Sequence, residues 1–259
     1  MPNSLDIQIV SHATPDLVES LLDDLSGVTA RVSVLENVRE VRPVRREGVS
    51  LERHADGHPR GFAANHNYLA SRGRGALIAI LNPDLKVATA SWAPLLAAFD
   101  DPSVGVVAPR VHEPDGRLAD NARQVLTPAR LMRDRLWPHR RRSDYPDATR
   151  RCEPDWVAGM FLIVRRSLFD RLGGFDTRYR MYCEDMDLCV RAWLAGARVC
   201  CLPCEGVVHD ARRASLRHPA HLRWHLASLA RFWRSPGYRD FLRSRSRRAG
   251  AAAGAGRHG

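Results

Sequence analysis

Short apolar runs alternate with helical stripes of leucine over the first 110 residues. Runs typical of strands cover residues 5–10, 31–35, 49–53, 76–81 and 104–108. Helices are predicted between them from apolar residues that repeat every three or four positions, as in Leu17, Leu21, Leu22 and Leu25, or Trp92, Leu95, Leu96 and Phe99. Strands that alternate with helices predict an α/β fold, in which a mostly parallel central sheet carries helices on both faces.

The pattern changes after residue 110. Residues 111–153 are rich in Arg, Pro and Asp with little periodicity, and we predict a surface excursion with one short helix over 128–136. Order returns with strands over 156–164 and 198–202, and with helices over 167–172 and 184–195. An amphipathic helix is predicted from Pro219 to Trp233. From Arg243 onwards the sequence is first rich in Arg and Ser and then rich in Gly and Ala. We therefore expect one domain over 1–215, a helical segment over 216–242 and a disordered tail over 243–259.

Composition narrows the classes of protein. The chain of 259 residues is 44% hydrophobic and 27% charged, which is ordinary for a globular protein. Its net charge of +11 favours anionic partners. The least polar run, Trp156 to Val164, is too short for a transmembrane helix, and we recognise no secretory signal. The six cysteines are therefore expected to be thiols in a reducing compartment, so we expect a cytoplasmic protein.

Two acidic stretches are candidates for chemistry. Asn82-Pro83-Asp84 follows a buried strand, where a carboxylate can hold a divalent cation that bridges a diphosphate. Asn-Pro-Asp is equally a good turn sequence. Glu184-Asp185-Met186-Asp187 opens a helix, where a carboxylate could act as a general base or simply interact with the helix dipole. Neither motif decides between its two interpretations when taken alone.

The histidine and cysteine signals are weaker. His209 follows the apolar run Gly206-Val-Val208 and could be a metal ligand or a structural histidine. Cys200, Cys201 and Cys204 contain a single Cys-x-x-Cys without a second pair at zinc-site spacing, so buried thiols are the better interpretation. The run from Gly61 to Asn67 matches neither a dinucleotide fingerprint nor a P-loop.

The order of these pieces is more specific than any one of them. Over roughly residues 5–215, it resembles the family 2 glycosyltransferases, in particular their rhamnosyltransferase-like branch. The most specific part combines Trp156-Val-Ala-Gly-Met, Gly173-Gly-Phe-Asp176, Tyr182-Cys-Glu-Asp-Met-Asp-Leu-Cys-Val-Arg191 and Val207-Val-His209. Earlier matches are Gly61-Phe-Ala-Ala-Asn-His-Asn67, Leu81-Asn-Pro-Asp84 and Val104-Gly-Val-Val-Ala-Pro-Arg110.

The resemblance implies a GT-A fold, with a Rossmann-like nucleotide-binding half followed by an acceptor-binding half. It also implies an inverting transfer of a sugar from a nucleotide-diphosphate donor to a hydroxyl of a glycan or lipid-linked glycan acceptor. Members usually use Mg²⁺ or Mn²⁺. For this chain we expect a hexosyl or rhamnosyl transferase of cell-surface polysaccharide or glycolipid assembly.

The family's functional residues carry over position by position. Asp185 matches the catalytic base, Glu184 and Asp187 would orient the base and the acceptor, and Asp84 and His209 would bind the metal. The implied acceptor side comprises Trp156, Gly159 and Asp187. The implied donor side comprises Glu36, Gly61, Asn67, Asn82 and Asp84.

Three departures from the family pattern all concern the donor side. The second strand ends in Glu36-Asn37 where Asp-Asn is usual, and the first ends in Ser11-His12 where Tyr-Asn or Phe-Asn is common. The segment before Gly61 is His58-Pro59-Arg60, where Asn is usual. The identity of the donor is therefore the least certain implication of the resemblance.

Two alternatives remain for the basic surface. The first is a non-catalytic module that binds nucleic acid, although the aromatic residues are not interleaved with the arginines. The second concerns the C-terminal helix, which has an apolar face formed by Leu222, Leu226, Leu229 and Phe232. This face could pack on the catalytic domain, or it could attach the protein to the anionic inner face of the cell membrane. A further alternative for the whole chain is a sugar-nucleotide nucleotidyltransferase built on a similar sheet. Such an enzyme would need a Gly-rich loop near the N-terminus, which is not found in this sequence.

Overall fold

The computed structural model describes residues 4–39, 44–54, 56–137, 143–210 and 219–255. A seven-stranded sheet has the order β10-β6-β9-β4-β1-β2-β3, and only β9 runs antiparallel to its neighbours. Its strands are β1 (Leu5–Ser11), β2 (Arg31–Glu36), β3 (Val49–Arg53), β4 (Leu77–Leu81), β6 (Val104–Pro109), β9 (Phe161–Arg165) and β10 (Arg198–Leu202). Two small antiparallel pairs join β5 (Leu85–Val87) to β11 (Val207–His209), and β7 (Ala122–Arg123) to β8 (Trp156–Val157).

Helices cover both faces of this sheet, as predicted. They are α1 (Pro15–Asp24), α2 (Phe62–Arg72), α3 (Trp92–Ala97), α4 (Pro128–Leu136), α5 (Arg166–Arg171), α6 (Glu184–Leu194), α7 (Pro219–Arg234) and α8 (Pro236–Ala255). Leu77, Ala79 and Leu81 of β4 pack in one core with α1 and α3. The intervening Ile78 and Ile80 pack in a second core with α2, α5 and α6. Successive side chains of a strand point to opposite faces of the sheet. Each face of β4 therefore contributes to a different core.

The strand predicted over 156–164 is divided in the structure. β8 pairs with β7, and β9 then enters the main sheet between β4 and β6. The turn between them begins at Ala158, whose N–H donates to the carbonyl of Asn121 at 2.9 Å. One apolar run therefore serves two sheets, which periodicity cannot reveal because both pieces are buried.

The surface excursion predicted over 111–153 is wrong for its first part. Val111, Ala119, Ala122 and Val125 are buried, and so is the side chain of Asn121, whose Nδ2 donates to the carbonyl of Pro109 at 2.8 Å. A polar sequence folds inward here because its few apolar residues and backbone groups find partners on β6 and β8. The helix predicted over 128–136 coincides with α4.

The C-terminal region holds two helices instead of one helix and a tail. α7 matches the predicted amphipathic helix, while α8 extends to Ala255 and so corrects the disorder predicted from residue 243. Arg and Ala are good helix formers, and the first turns of α8 are held by Tyr238 and Phe241, which are buried. Residues 256–259 lie outside the described residues.

The six cysteines are free thiols in the structure. Within the described ranges, no helix combines the length and the apolar composition that crossing a bilayer requires.

Candidate active site

A cavity of about 510 Å³ lies at the carboxyl ends of three neighbouring parallel strands. Val10 and His12 contribute from the end of β1, Asn37 from the end of β2, and Leu81 and Asn82 from the end of β4. Ligands bind at this edge in open α/β sheets because strand ends and helix N-termini meet there. Of the residues predicted for the donor side, Gly61 and Asn82 line this cavity.

The chain's departures from the family pattern line this cavity. His12, Pro59 and Arg60 all lie on its wall. The side chain of Asn37 joins two of the strand-end segments, because its Nδ2 donates to the carbonyl of Arg60 at 2.9 Å and its Oδ1 accepts from the backbone N–H of Arg60 at 2.8 Å. These reciprocal bonds hold the 59–61 loop against the end of β2.

Glu36 lies in a smaller adjoining cavity of about 250 Å³ that shares Asn37. Its carboxylate is buried and its Oε2 lies 2.5 Å from Arg53, whereas Oε1 has no hydrogen-bond partner in the described structure. An unpaired acceptor in such a place costs free energy unless a ligand donates to it. Oε1 of Glu36 can thus accept a hydrogen bond from an N–H or O–H group of a ligand in this cavity.

Gly61 is required for a close approach between two segments of the site. A Cβ at this position would collide with the carbonyl oxygen of Arg180. Gly61 also precedes α2, so its lack of a side chain lets the segment before α6 pass directly over the N-terminus of α2.

Asn67, predicted on the donor side, is not among the residues that line the cavity. Its Nδ2 donates to the carbonyl of Phe175 at 2.8 Å, and its Oδ1 accepts from the N–H of the same residue at 2.9 Å. Both amide functions are therefore used to bind the turn after α5. Asn67 thus joins α2 to a partner 108 residues away in the chain, and its donor role stays a prediction.

Asp84 and His209 are brought together by the β5–β11 pair. His209 Nε2 lies 3.0 Å from Asp84 Oδ1, and the N–H of Asp210 donates to the carbonyl of Asp84 at 3.0 Å. The described residues contain no cluster of three or more metal-ligating side chains. A carboxylate beside an imidazole nevertheless offers two ligands for a divalent cation, which can be bound by one or two protein ligands together with substrate phosphates.

The two acidic stretches are attached to consecutive residues of one turn. The N–H of Asn82 donates to the carbonyl of Met160 at 2.8 Å, and the N–H of Gly159 donates to Asp185 Oδ2 at 2.8 Å. Asp84 and Asp185 therefore belong to the same edge of the sheet, on either side of the turn between β8 and β9.

Asp185 is held by backbone donors at the start of α6. Its Oδ1 accepts from the N–H of Met186 at 2.8 Å, in addition to the bond from Gly159 to Oδ2. Burial raises the pKa of Asp185, while these two N–H groups act in the opposite direction because they stabilise the ionised carboxylate. A carboxylate that is desolvated but ionised is a better proton acceptor than one in water.

Glu184 lies beside this carboxylate and is buried. Burial first, and the charge of Asp185 second, raises the pKa of Glu184 to about 8. Its Oε2 has no hydrogen-bond partner in the described structure. Near neutral pH the pair therefore carries one negative charge, which we place on Asp185 because that residue has the two backbone donors.

The proton on Glu184 predicts how stability depends on pH. Between pH 4.5 and about 8 the folded chain holds a proton that the unfolded chain has released, so the free energy of unfolding falls as the pH rises. Glu184→Gln should remove this fall, whose slope is at most about 1.4 kcal/mol per pH unit. Thermal melting from pH 5 to pH 8 measures it, with exposed Glu47→Gln as control. Parallel melting profiles for wild type and Glu184→Gln would contradict a buried neutral Glu184.

The carboxylate of Asp187 is bound within the protein, by Arg191. Its Oδ2 accepts from Arg191 Nε at 2.7 Å, and Arg191 also donates to the carbonyls of Leu172 and Gly174. Asp187 is nearly buried in this arrangement. Through Arg191, Asp187 helps to anchor α6 against the turn after α5, and the acceptor role predicted for it stays a prediction.

Of the two other residues predicted for the acceptor side, Gly159 contacts Asp185, and Trp156 lies in β8, just before the turn that contains Gly159. Trp156 is half-buried, with its indole N–H bound to the carbonyl of Gln124 and Arg123 5.3 Å from its ring. A Cβ on Gly159 would lie 3.2 Å from the ring of Phe62 and 3.5 Å from the Cβ of Asp185. This geometry is compatible with an acceptor beside the base, which stays a prediction.

The sequence analysis missed several residues that line the cavity at the strand ends, among them Arg180, His221 and Trp224. His221 and Trp224 belong to α7, which was interpreted only through its leucines. A signal was present, since His221, Trp224, His225 and Ser228 repeat at the spacing of one helix face.

Comparison with known proteins gives the relatives of the chain. No family model matches it. It is 36% identical over 177 residues to N-acetylglucosaminyl-diphospho-decaprenol L-rhamnosyltransferase of Mycobacterium tuberculosis, which corresponds to 61% of this chain and 58% of that protein. It is 46% identical over 79 residues to rhamnosyltransferase WbbL of Escherichia coli, or 30% of each chain. The chain thus spans little more than half the length of the first of these relatives.

Solved structures share the fold. The mannosyltransferase PcManGT from Pyrobaculum calidifontis, in complex with GDP-Man and Mn²⁺, superposes with a TM-score of 0.57 over 95% of this chain and 69% of its own. The identity is 19%, so this likeness concerns the fold alone. Together with the relatives it confirms the GT-A fold and the resemblance to rhamnosyltransferases.

Proposed function

Since the chain resembles rhamnosyltransferases in sequence and has the GT-A fold, we propose that it is an inverting glycosyltransferase. Its donor would be a nucleoside diphosphate sugar and its acceptor a hydroxyl group. The observation that carries the proposal is the turn at Gly159 and Met160, which binds the Asp185 carboxylate on one side and the Asn82–Asp84 segment on the other.

The chain's own groups supply the proton chemistry. Asp185 takes the proton of the acceptor hydroxyl while the hydroxyl oxygen forms a bond to the anomeric carbon. The bond from that carbon to the diphosphate oxygen breaks on the opposite face, and the electron pair leaves with the nucleoside diphosphate. Gly159 and Met186 hold the carboxylate in place through their N–H groups, so that little reorganisation is needed.

Asp84 and His209 are the residues that would hold a divalent cation, Mg²⁺ or Mn²⁺. When bound, such an ion neutralises charge on the departing diphosphate. The complex of PcManGT with Mn²⁺ is compatible with this assignment.

For the substrates, we propose transfer of a rhamnosyl or related hexosyl group to a lipid-linked glycan in cell-surface polysaccharide assembly. The support comes from the names of the relatives, one of which specifies an N-acetylglucosaminyl-diphospho-decaprenol acceptor. Glu36 would contact the donor nucleoside through its unpaired Oε1.

A nucleic-acid-binding module is not favoured. Many of the arginines responsible for the positive charge are already paired with carboxylates, among them Arg46, Arg117, Arg178 and Arg198. Such pairs lower the charge available to a phosphate backbone.

A ligand screen tests the proposed function. Thermal-shift measurements with UDP-, GDP- and dTDP-sugars, each with and without Mn²⁺, should show one nucleotide class that raises the melting temperature in a metal-dependent way. Random duplex DNA serves as the competing ligand. If the duplex raised the melting temperature and none of the nucleotides did, the proposed transferase function would be refuted.

We further propose that the outward part of α7 touches an anionic membrane, where a lipid-linked acceptor resides. Leu229 and Phe232 are buried against α6, but Leu222 and Leu226 are 54% and 53% exposed, with Arg223 between them. Exposed leucines and arginines on one helix suit an interface of acyl chains and anionic headgroups.

A double variant tests this contact. Leu222→Gln with Leu226→Gln should lose most of the co-sedimentation of the protein with phosphatidylglycerol vesicles, because the inserted apolar surface is removed. Leu51→Gln with Leu194→Gln is the matched control, since these leucines are 39% and 40% exposed elsewhere. Undiminished sedimentation of the first variant would exclude a membrane role for α7.

A further inference from the structure

One face of α7 contacts residues 180–182, which precede α6. The face consists of His221, Trp224, His225 and Ser228, at positions i, i+3, i+4 and i+7. We call it the aromatic face of α7. It differs from the leucine face, so the same helix has two separate surfaces.

The aromatic face touches three consecutive residues. The Arg180 guanidinium lies over the ring of Trp224, 4.9 Å from its centroid. Ser228 Oγ donates to the carbonyl of Met181 at 2.9 Å. The hydroxyl of Tyr182 lies 2.9 Å from Nδ1 of His221, and the Tyr182 ring is 5.0 Å from that of His225. Every residue from 180 to 182 is therefore held by α7.

This segment has an unusual backbone. Tyr182 and Cys183 adopt left-handed conformations, with φ of 71° and 68°. Such residues cost on the order of 1 kcal/mol each and persist only where surrounding contacts enforce them. Asp185 lies two residues after Cys183. The contacts of α7 therefore constrain the backbone that leads to the proposed catalytic base.

Arg180 is also a wall of the donor cavity, together with Arg60. Arg60 is neutralised by Asp56, whose Oδ2 lies 2.8 Å away. Among the residues whose structure is described, no carboxylate lies within ion-pair distance of Arg180. The indole ring of Trp224 orients this guanidinium without cancelling its charge.

We propose that Arg180, positioned by Trp224, binds the diphosphate of the nucleotide donor, and that α7 forms the outer wall of the donor site. A guanidinium binds phosphate oxygens in bidentate fashion, and its charge opposes the charge that develops on the leaving diphosphate. The inference rests on the proposed function.

A lipid-linked acceptor could also present a diphosphate. The donor is the better assignment because Arg180 shares its cavity with His12, Asn37 and Asn82, at the strand ends where a nucleotide is expected. The two sources differ in a measurable way, since only a donor contact changes the affinity for a free nucleoside diphosphate.

Calorimetry with nucleotides tests the proposal. The probe is whichever of UDP, GDP and dTDP the full-length wild-type protein binds most tightly with Mn²⁺, compared with the matching monophosphate. Arg180→Gln should weaken the diphosphate about tenfold, and the monophosphate less than about twofold. Arg178→Gln is the control, because Arg178 is exposed, two residues away and paired with Asp176 at 2.7 Å.

Trp224 is tested as a positioning residue. Trp224→Leu should weaken diphosphate binding in the same direction as Arg180→Gln, and Trp224→Phe should restore most of it because an aromatic ring remains under the guanidinium. Thermal melting verifies that each variant is folded. Equal affinity of Arg180→Gln and wild type for the diphosphate, or equal losses for diphosphate and monophosphate, would overturn the inference. A wild-type chain that binds none of the three nucleotides would instead refute the proposed function itself.

Discussion

Asp185→Asn is expected to lower turnover by about 10²-fold or more while nucleotide binding persists. The amide has nearly the same shape as the carboxylate, so one side-chain oxygen can still accept from Gly159 or Met186. What the variant lacks is a group able to take the proton of the acceptor hydroxyl. The loss should therefore appear in the rate of transfer and not in the affinity for the donor.

The measurement is sugar transfer at saturating donor, together with calorimetry of the nucleotide. Asp170→Asn is the matched control, because Asp170 is exposed on α5 and has no part in the proposed site. Turnover of Asp185→Asn close to that of wild type would remove Asp185 from the mechanism. A large loss that is accompanied by equally weakened nucleotide binding would indicate a structural role instead.

Asp84→Ala is expected to abolish the metal-dependent part of nucleotide binding. The variant removes the carboxylate whose Oδ1 lies 3.0 Å from His209 Nε2, so only the imidazole of the proposed pair remains. A cation that depends on one or two protein ligands loses most of its attachment with such a change. The phosphates would then be left with the arginines of the cavity wall.

Calorimetric titration of the nucleotide with and without Mn²⁺ measures this effect. Wild type should bind more tightly with the ion, and Asp84→Ala should bind equally under both conditions. Asp100→Ala is the control, since Asp100 is an exposed aspartate near α3. An unchanged response of Asp84→Ala to Mn²⁺ would show that the ion is held elsewhere or not at all.

The contacts of α7 affect how any shortened chain should be interpreted. Removal of residues after 216 would take away Leu222 and Leu226, but also the groups that hold residues 180–182 and line the cavity at the strand ends. Lost activity in such a chain would not separate membrane attachment from a damaged site. Point variants on the two faces of α7 make that separation.

For two residues that the motifs assign to ligands, the structure shows a partner within the protein. Asn67 bonds to Phe175 in the turn after α5, and Asp187 bonds to Arg191, which itself bonds to that turn. A polar side chain bonds to whatever neighbour the fold supplies, and for Asn67 that neighbour is 108 residues distant. Motif position therefore does not distinguish a ligand contact from an internal hydrogen bond.

The sequence by itself determined the alternation of strands and helices, the two-faced sheet and the placement of Asp84, Asp185 and His209 at element ends. These features depend on local periodicity and on the order of motifs, which are readable along the chain. Only the tertiary structure decided that a single turn joins both acidic stretches, that α7 contacts the cavity at the strand ends and that Arg180 faces this cavity with Trp224 beneath. Such contacts arise where distant segments pack, and their partners are not encoded in any local pattern.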